Sequence, residues 1–125
     1  MTELLEIYRC EICGNIIQIL HSGNGDPVCC GKPMVKMELK TNEEGISEKH
    51  VPYFINDKIQ VGYVIHPMTP EHHIEFIEAI SEDKKEVQIK FLGINEPPEM
   101  YIGNNTQLNC AIEYCNLHGL WKGVK

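Results

Sequence analysis

Hydrophobic positions in the latter two thirds of the chain recur every second residue. Ile59, Val61, Tyr63 and Ile65 are interleaved with Gln60, Gly62, Val64 and His66. His72, Ile74, Phe76 and Ile80 share one phase, with Glu75 in the other. Val87, Ile89 and Phe91 alternate with Gln88 and Lys90, and Leu108, Cys110, Ile112 and Tyr114 with Asn109, Ala111 and Glu113. Period two places neighbouring side chains on opposite faces, so each run predicts a half-buried strand. Turn-forming clusters separate the runs: Pro67-Met68-Thr69-Pro70, residues 93–98, and Gly103-Asn104-Asn105. No segment carries a helical stripe. Short strands with turns between them predict an all-β domain, an antiparallel β-sandwich first and a barrel of the same strands second.

The N-terminal part reads differently. Residues 1–36 hold four of the six cysteines and form an expected small metal module, too short for an apolar core to hold alone. Residues 37–125 form the expected main domain. The polar, glycine-terminated stretch Lys40-Thr41-Asn42-Glu43-Glu44-Gly45 reads as a linker or exposed loop.

Charge narrows the function. Eleven Lys and Arg against eighteen Asp and Glu leave a formal charge of −7 in 125 residues. A nucleic-acid footprint needs clustered positive charge, and an anionic membrane surface would repel this chain. No apolar run approaches the roughly 20 residues of a membrane span. Met1-Thr2-Glu3-Leu4-Leu5-Glu6 has acids where an export signal needs a basic start. The expected location is cytoplasmic, where thiols stay reduced. The even cysteine count also fits a disulfide framework, but metal ligation suits that compartment better.

Two constellations carry chemistry. Cys10-Glu11-Ile12-Cys13-Gly14 is a Cys-x-x-Cys knuckle, and the adjacent pair Cys29-Cys30 precedes Gly31. Four thiolates suit a tetrahedral zinc or iron ion, with some distortion expected from the adjacent pair. The second set is histidine-rich. His50, His66 and His72 lie at expected strand ends or turns, and Cys115 and His118 share one glycine-ended turn. Imidazoles with one thiolate suit iron, copper or zinc at a functional centre, and Met68 and Met100 keep a blue-copper site open. His73 points away from whatever His72 faces. Cys110, in phase with Leu108, Ile112 and Tyr114, reads as a buried core thiol, and Cys115 ends the strand in the opposite phase. His21 reads as an exposed turn residue.

Together these residues resemble desulfoferrodoxin, the two-iron class of superoxide reductase, over essentially the whole chain. Cys10-x-x-Cys13 with Cys29-Cys30 is similar to that family's desulforedoxin-like module. Glu48-Lys49-His50-Val51-Pro52, His66-Pro67-Met68, His72 and Cys115-Asn116-Leu117-His118-Gly119-x-Trp121 are similar to its catalytic domain. His73 departs from the aromatic residue the family tends to carry there.

The resemblance implies an immunoglobulin-like sandwich after the module and two irons per chain. One would be held by Cys10, Cys13, Cys29 and Cys30. The other would be held by His50, His66, His72 and His118 in a plane, with Cys115 on the axis. It implies one-electron reduction of superoxide to hydrogen peroxide, a rubredoxin-like electron donor and a homodimer. Lys49 would attract superoxide and organise water for protonation, and Glu48 would occupy the sixth iron position in the oxidised resting state. Lys122, beside Trp121, is a further candidate for positive charge near the iron. A non-catalytic iron or copper carrier and a zinc-ribbon-like binding module are the rival readings.

Overall fold

A computed structural model describes residues 1–41 and 47–125, and of residues 47 and 48 the backbone alone. The chain divides into two compact units, Met1–Glu38 and Leu39–Lys125. Both are β-structures, and the one helical element among the described residues is a single turn, α1 (Ser47–His50). Among the described residues no helix is long and apolar enough to cross a membrane.

The first unit is built from short pieces. Strand β1 (Ile7–Arg9) pairs antiparallel with β2 (Ile16–Gln18) on one side and β5 (Val35–Lys36) on the other. A second ribbon joins β3 (Val28–Cys29) to β4 (Lys32–Pro33). Its apolar core is Tyr8, Cys10 and Met34, with Ile19 and Cys29 packed against them. So small a cluster fits the expectation that something besides packing holds this unit.

The second unit is a sandwich of two sheets. The larger has the order β10–β9–β12–β13–β6, from β6 (Leu39–Lys40), β9 (Ile74–Ser81), β10 (Val87–Phe91), β12 (Leu108–Cys115) and β13 (Gly119–Val124). The smaller has the order β11–β8–β7, from β7 (Pro52–Ile55), β8 (Lys58–Val61) and β11 (Glu99–Tyr101). Ile59, Val61 and Met100 from the small sheet meet Ile74, Ile77, Ala79, Leu108 and Ala111 from the large one in one buried cluster. Each such Ile or Leu contributes about 1.5–3 kcal/mol of burial, so this seam fixes how the sheets face each other.

Several expectations change here. The pairing is not wholly antiparallel, because β6 joins β13 in parallel, Leu39 beside Leu120 and Lys40 beside Trp121. Lys40 is therefore in a strand and not in a linker, while residues 42–45 of that stretch lie outside the described residues. The run from Ile59 to Ile65 stops being a strand at Val61. Gly62 turns the chain at φ +83°, where a Cβ would collide with the Lys49 and Val64 carbonyls, and Tyr63, Val64 and Ile65 are exposed. Strand β10 forms as expected but lies on the edge, with Val87, Ile89 and Phe91 exposed.

The phase of β12 is the most consequential correction. A register shift between Leu108 and Cys110 moves the inward face onto Leu108, Ala111 and Cys115. Cys110 is consequently only half-buried, and Cys115 is a fully buried member of the core cluster. An uninterrupted period of two assigns these thiols the other way round; one bulge inverts the assignment.

Candidate metal centres

In the first unit the four Cys sulfurs lie within 4.8 Å of one another. All are free thiols, so the disulfide alternative does not hold. The knuckle places the Cys13 amide 3.5 Å from the Cys10 sulfur, and Gly14 leaves it at φ +84°. The adjacent pair converges because Cys30 itself takes φ +52° and Gly31 φ +75°. Two successive left-handed residues turn neighbouring side chains toward one point instead of opposite faces. The Cys13–Cys29 and Cys29–Cys30 sulfur separations are 3.5 and 3.9 Å. Thiolates about 2.3 Å from a tetrahedral ion lie about 3.8 Å apart, so the cluster fits such an ion.

Electrostatics divides the four thiols. Amide N–H groups facing its sulfur hold Cys10 down to about 6. Cys29 is pushed up to about 12 by the neighbouring thiols Cys13 and Cys10, with burial adding to it. The same crowding raises Cys30. Four sulfurs this close cannot all ionise without a cation among them.

In the second unit, turns at one end of the sandwich gather the imidazoles. His50 ends α1, His66 follows the Gly62 turn, His72 precedes β9, and His118 closes the β12–β13 turn. The four rings form a closed cycle. Neighbouring centroids lie 4.5 Å (His50–His66), 4.5 Å (His66–His72), 5.0 Å (His72–His118) and 4.6 Å (His118–His50) apart, with adjacent planes steep at 69–82°. The diagonal pair His50–His72 is 5.9 Å apart and nearly parallel at 27°. Cys115 joins from the core side: its sulfur lies within 4.8 Å of the His50, His66 and His72 donor atoms and 3.7 Å from His118 Nδ1.

The ring atoms that converge are specific. His66 Nδ1 meets the Pro67 carbonyl at 2.7 Å, which fixes that nitrogen as donor and leaves Nε2 bare, 3.0 Å from His50 Nε2. His118 approaches through Nδ1, 3.0 Å from the same His50 nitrogen. His72 Nε2 is buried without a hydrogen-bond partner. Burial first, and then the neighbouring imidazoles, hold His66 down to about 4, and burial lowers His72 too. His66 and His72 are thereby kept neutral, and they converge with His50, His118 and one thiol. That set fits a borderline metal such as iron.

Two loops are tied together to make this happen. Asn116 Oδ1 accepts from the His73 amide at 2.9 Å, and its Nδ2 donates to the Glu71 carbonyl at 3.0 Å. His73 turns its own Nδ1 to the Thr69 carbonyl at 2.9 Å, away from the cycle, so His72 is the member that points inward. The Cys115 thiol is raised by burial, against which the Leu117 and His118 amides act. Glu113, two residues before it, is fully buried with both carboxylate oxygens unpartnered, and its carboxyl is raised well above the usual range by burial alone.

Of the residues marked in the sequence, the ten proposed donors and neighbours His50, His66, His72, His118, Cys115, Cys10, Cys13, Cys29, Cys30 and Lys49 all fall at one cluster or the other. Lys49 is exposed on α1, and its charge lowers His72. The Glu48 side chain lies outside the described residues. Lys122 points elsewhere: it alternates with the buried Trp121, and its charge acts on Cys110. Sequence reasoning gave no role to Asn116 beyond its place in the motif, and none to Glu113 or Lys40. A lone polar residue in an apolar alternation was the available signal for Glu113.

Donor sets this different, each complete within its own unit, define a protein with two separate metal centres. Comparison with known families gives it a place. The desulfoferrodoxin N-terminal domain matches residues 2–37, and desulfoferrodoxin matches residues 41–124. The chain belongs to the desulfoferrodoxin family. It is 43% identical to a desulfoferrodoxin homolog of Archaeoglobus fulgidus and 44% identical to desulfoferrodoxin of Nitratidesulfovibrio vulgaris, with 98% of each chain covered in both cases. Among solved structures it is similar to the superoxide reductase from Treponema pallidum, with a TM-score of 0.73 and 27% identity over 98% of this chain and 99% of that one.

Proposed function

We propose that the chain is a superoxide reductase that takes superoxide, one electron and two protons to hydrogen peroxide, with iron at both clusters. The observation that carries this reading is the closed cycle of four imidazoles with Cys115 beneath it. These five residues would hold an iron ion, which would supply the electron to a small anion. A zinc-ribbon module has no use for the second cluster. A blue-copper centre wants fewer imidazoles and an axial thioether, whereas Met100 is a buried member of the core cluster and the Met68 sulfur accepts the Ile74 amide.

The residues divide the work. His50, His66, His72, His118 and Cys115 would hold one iron, and Cys10, Cys13, Cys29 and Cys30 would hold the other. Residues 1–36 act as the desulforedoxin-like module and 37–125 as the catalytic domain. Lys49, exposed next to His50, supplies positive charge for an incoming anion in a chain of net −7, and orders the water that delivers protons. Glu48 acts as the resting-state neighbour of the oxidised centre. An iron held by Cys10, Cys13, Cys29 and Cys30 would stabilise its unit and supply a site for electron storage. A rubredoxin-like protein supplies electrons, two copies of the chain form the working unit, and the protein works in the cytoplasm.

Metal analysis and superoxide consumption test this together. Two irons per chain, consumption of one reducing equivalent per superoxide and no oxygen evolution are expected. Evolved oxygen without reductant consumption points to dismutation, and zinc alone to a binding module. Lys49→Ala should slow superoxide capture and flatten its salt dependence while both irons stay bound; an unchanged rate at low ionic strength removes Lys49 from the reaction.

A further inference from the structure

The parallel strand β6 has no counterpart in the sequence reading, and it delivers a cation to the histidine–cysteine cluster. Register places Lys40 beside Trp121. From there Lys40 Nζ donates to the His118 carbonyl at 3.2 Å and lies 5.5 Å from the centre of the Trp121 ring. Trp121 Nε1 donates to the same carbonyl, also at 3.2 Å. Trp121 is fully buried, and its ring packs 5.0 Å from His50, tilted by 30°. An ammonium and an indole N–H thus converge on one oxygen of the residue whose Nδ1 faces His50.

Each part of this contact has a physical consequence. A carbonyl gripped by two donors cannot rotate freely, so the end of the Cys115–His118 turn is fixed. Gly119, at φ +80°, then lets the chain reverse into β13. The lysine is half-buried, and a charge over an indole face in a partly desolvated site is screened less than one in open water. A fixed positive charge beside a redox ion disfavours the more highly charged oxidised state.

We propose that Lys40 is a positioning residue of the histidine–cysteine centre. It holds His118 through its carbonyl, and its charge favours the reduced ion. The inference rests on the reading of that cluster as an iron site.

The test uses the full-length, iron-loaded chain with Lys40→Met and Lys40→Arg. The four-cysteine centre serves as an internal reference in the same sample. Redox titration followed by visible spectra should show a lower midpoint for the histidine–cysteine centre in K40M, an unmoved midpoint for the four-cysteine centre, and recovery in K40R. Ferrous binding at the histidine site should weaken by roughly tenfold in K40M, the lower end of what lost support around a ligand costs. Trp121 is the only tryptophan, so its emission in the metal-free chain reports the contact directly and should change in K40M. Unchanged emission overturns the contact. Changed emission with unmoved midpoint and affinity overturns the role while leaving the iron site standing. A wild-type chain that takes no iron at this cluster overturns the reading of the site and this inference with it.

Discussion

Asn116→Ala is the sharpest probe of how the histidine cluster is assembled. The side chain makes two hydrogen bonds across the loops, to the His73 amide and to the Glu71 carbonyl, while the backbone bond from the Asn116 amide to the His73 carbonyl survives truncation. Each lost bond contributes about 1 kcal/mol, so the two together contribute about 2 kcal/mol to holding His72 against Cys115. That corresponds to roughly a 30-fold change in an equilibrium. Ferrous affinity of the histidine–cysteine site should fall by about that factor. The four-cysteine site, in the other unit, should keep its affinity. Asn116→Asp keeps the acceptor for His73 but places a carboxylate oxygen against the Glu71 carbonyl, so it should lose at least half as much. Competition with a chromogenic chelator, read at the two centres by their separate absorption, measures both affinities. Unchanged affinity at the histidine site in the alanine variant would refute the idea that this clamp sets the donor geometry.

Other predictions follow from buried and crowded groups. Glu113 is kept neutral by burial, so its stabilising state is fully present below the unfolded value of 4.5, and stability is lost as pH rises toward its higher folded value. The slope is about 1.4 kcal/mol per pH unit, and Glu113→Leu should remove it, as seen by urea unfolding of the metal-free chain across pH 5–8. His66 runs the other way. Its folded value of about 4 lies below the ordinary 6.5, so metal-free stability should decline as pH falls through that window, and bound iron at the histidine site should be released there. Loading the four-cysteine site at pH 7 should release at least two protons, those of the raised thiols Cys29 and Cys30. Calorimetry in buffers of different ionisation enthalpy counts them, and release of none would contradict the crowding argument.

Much of this was legible in the chain, for reasons that can be named. Strands β9, β10 and β12 were legible as strands because apolar and polar positions alternate along them, although β10 exposes its apolar positions and a bulge interrupts the phase of β12. The candidate ligands were legible because thiolates and imidazoles cluster at glycine and proline turns. Strand β6 was not legible: two residues in a polar stretch carry no period, and only the register with Trp121 defines them. The end of β8 at Val61 depended on a single glycine facing two carbonyls, which the apolar alternation through Ile65 conceals. The bulge in β12 was invisible as well: it leaves Cys110 only half-buried and buries Cys115 in the core cluster, where its sulfur still meets the imidazoles. The donor atom of His118, Nδ1 instead of Nε2, is a matter of turn geometry that no spacing encodes.

The bulge that carries Cys115 into the sandwich seam has a mechanical consequence. Its sulfur is braced by strands on both sheets, whereas each imidazole hangs from a turn. The centre therefore has one stiff post and four sprung arms. A cavity cut into the core, as by Ile77→Ala, transmits its slack first to the sulfur, while edits to the turns act first on the rings, through the turn that carries each and through the Asn116 tie between two of them. Changes in the turns can thus retune the arms, His72 and His118 together, but the post moves only when the whole sandwich does.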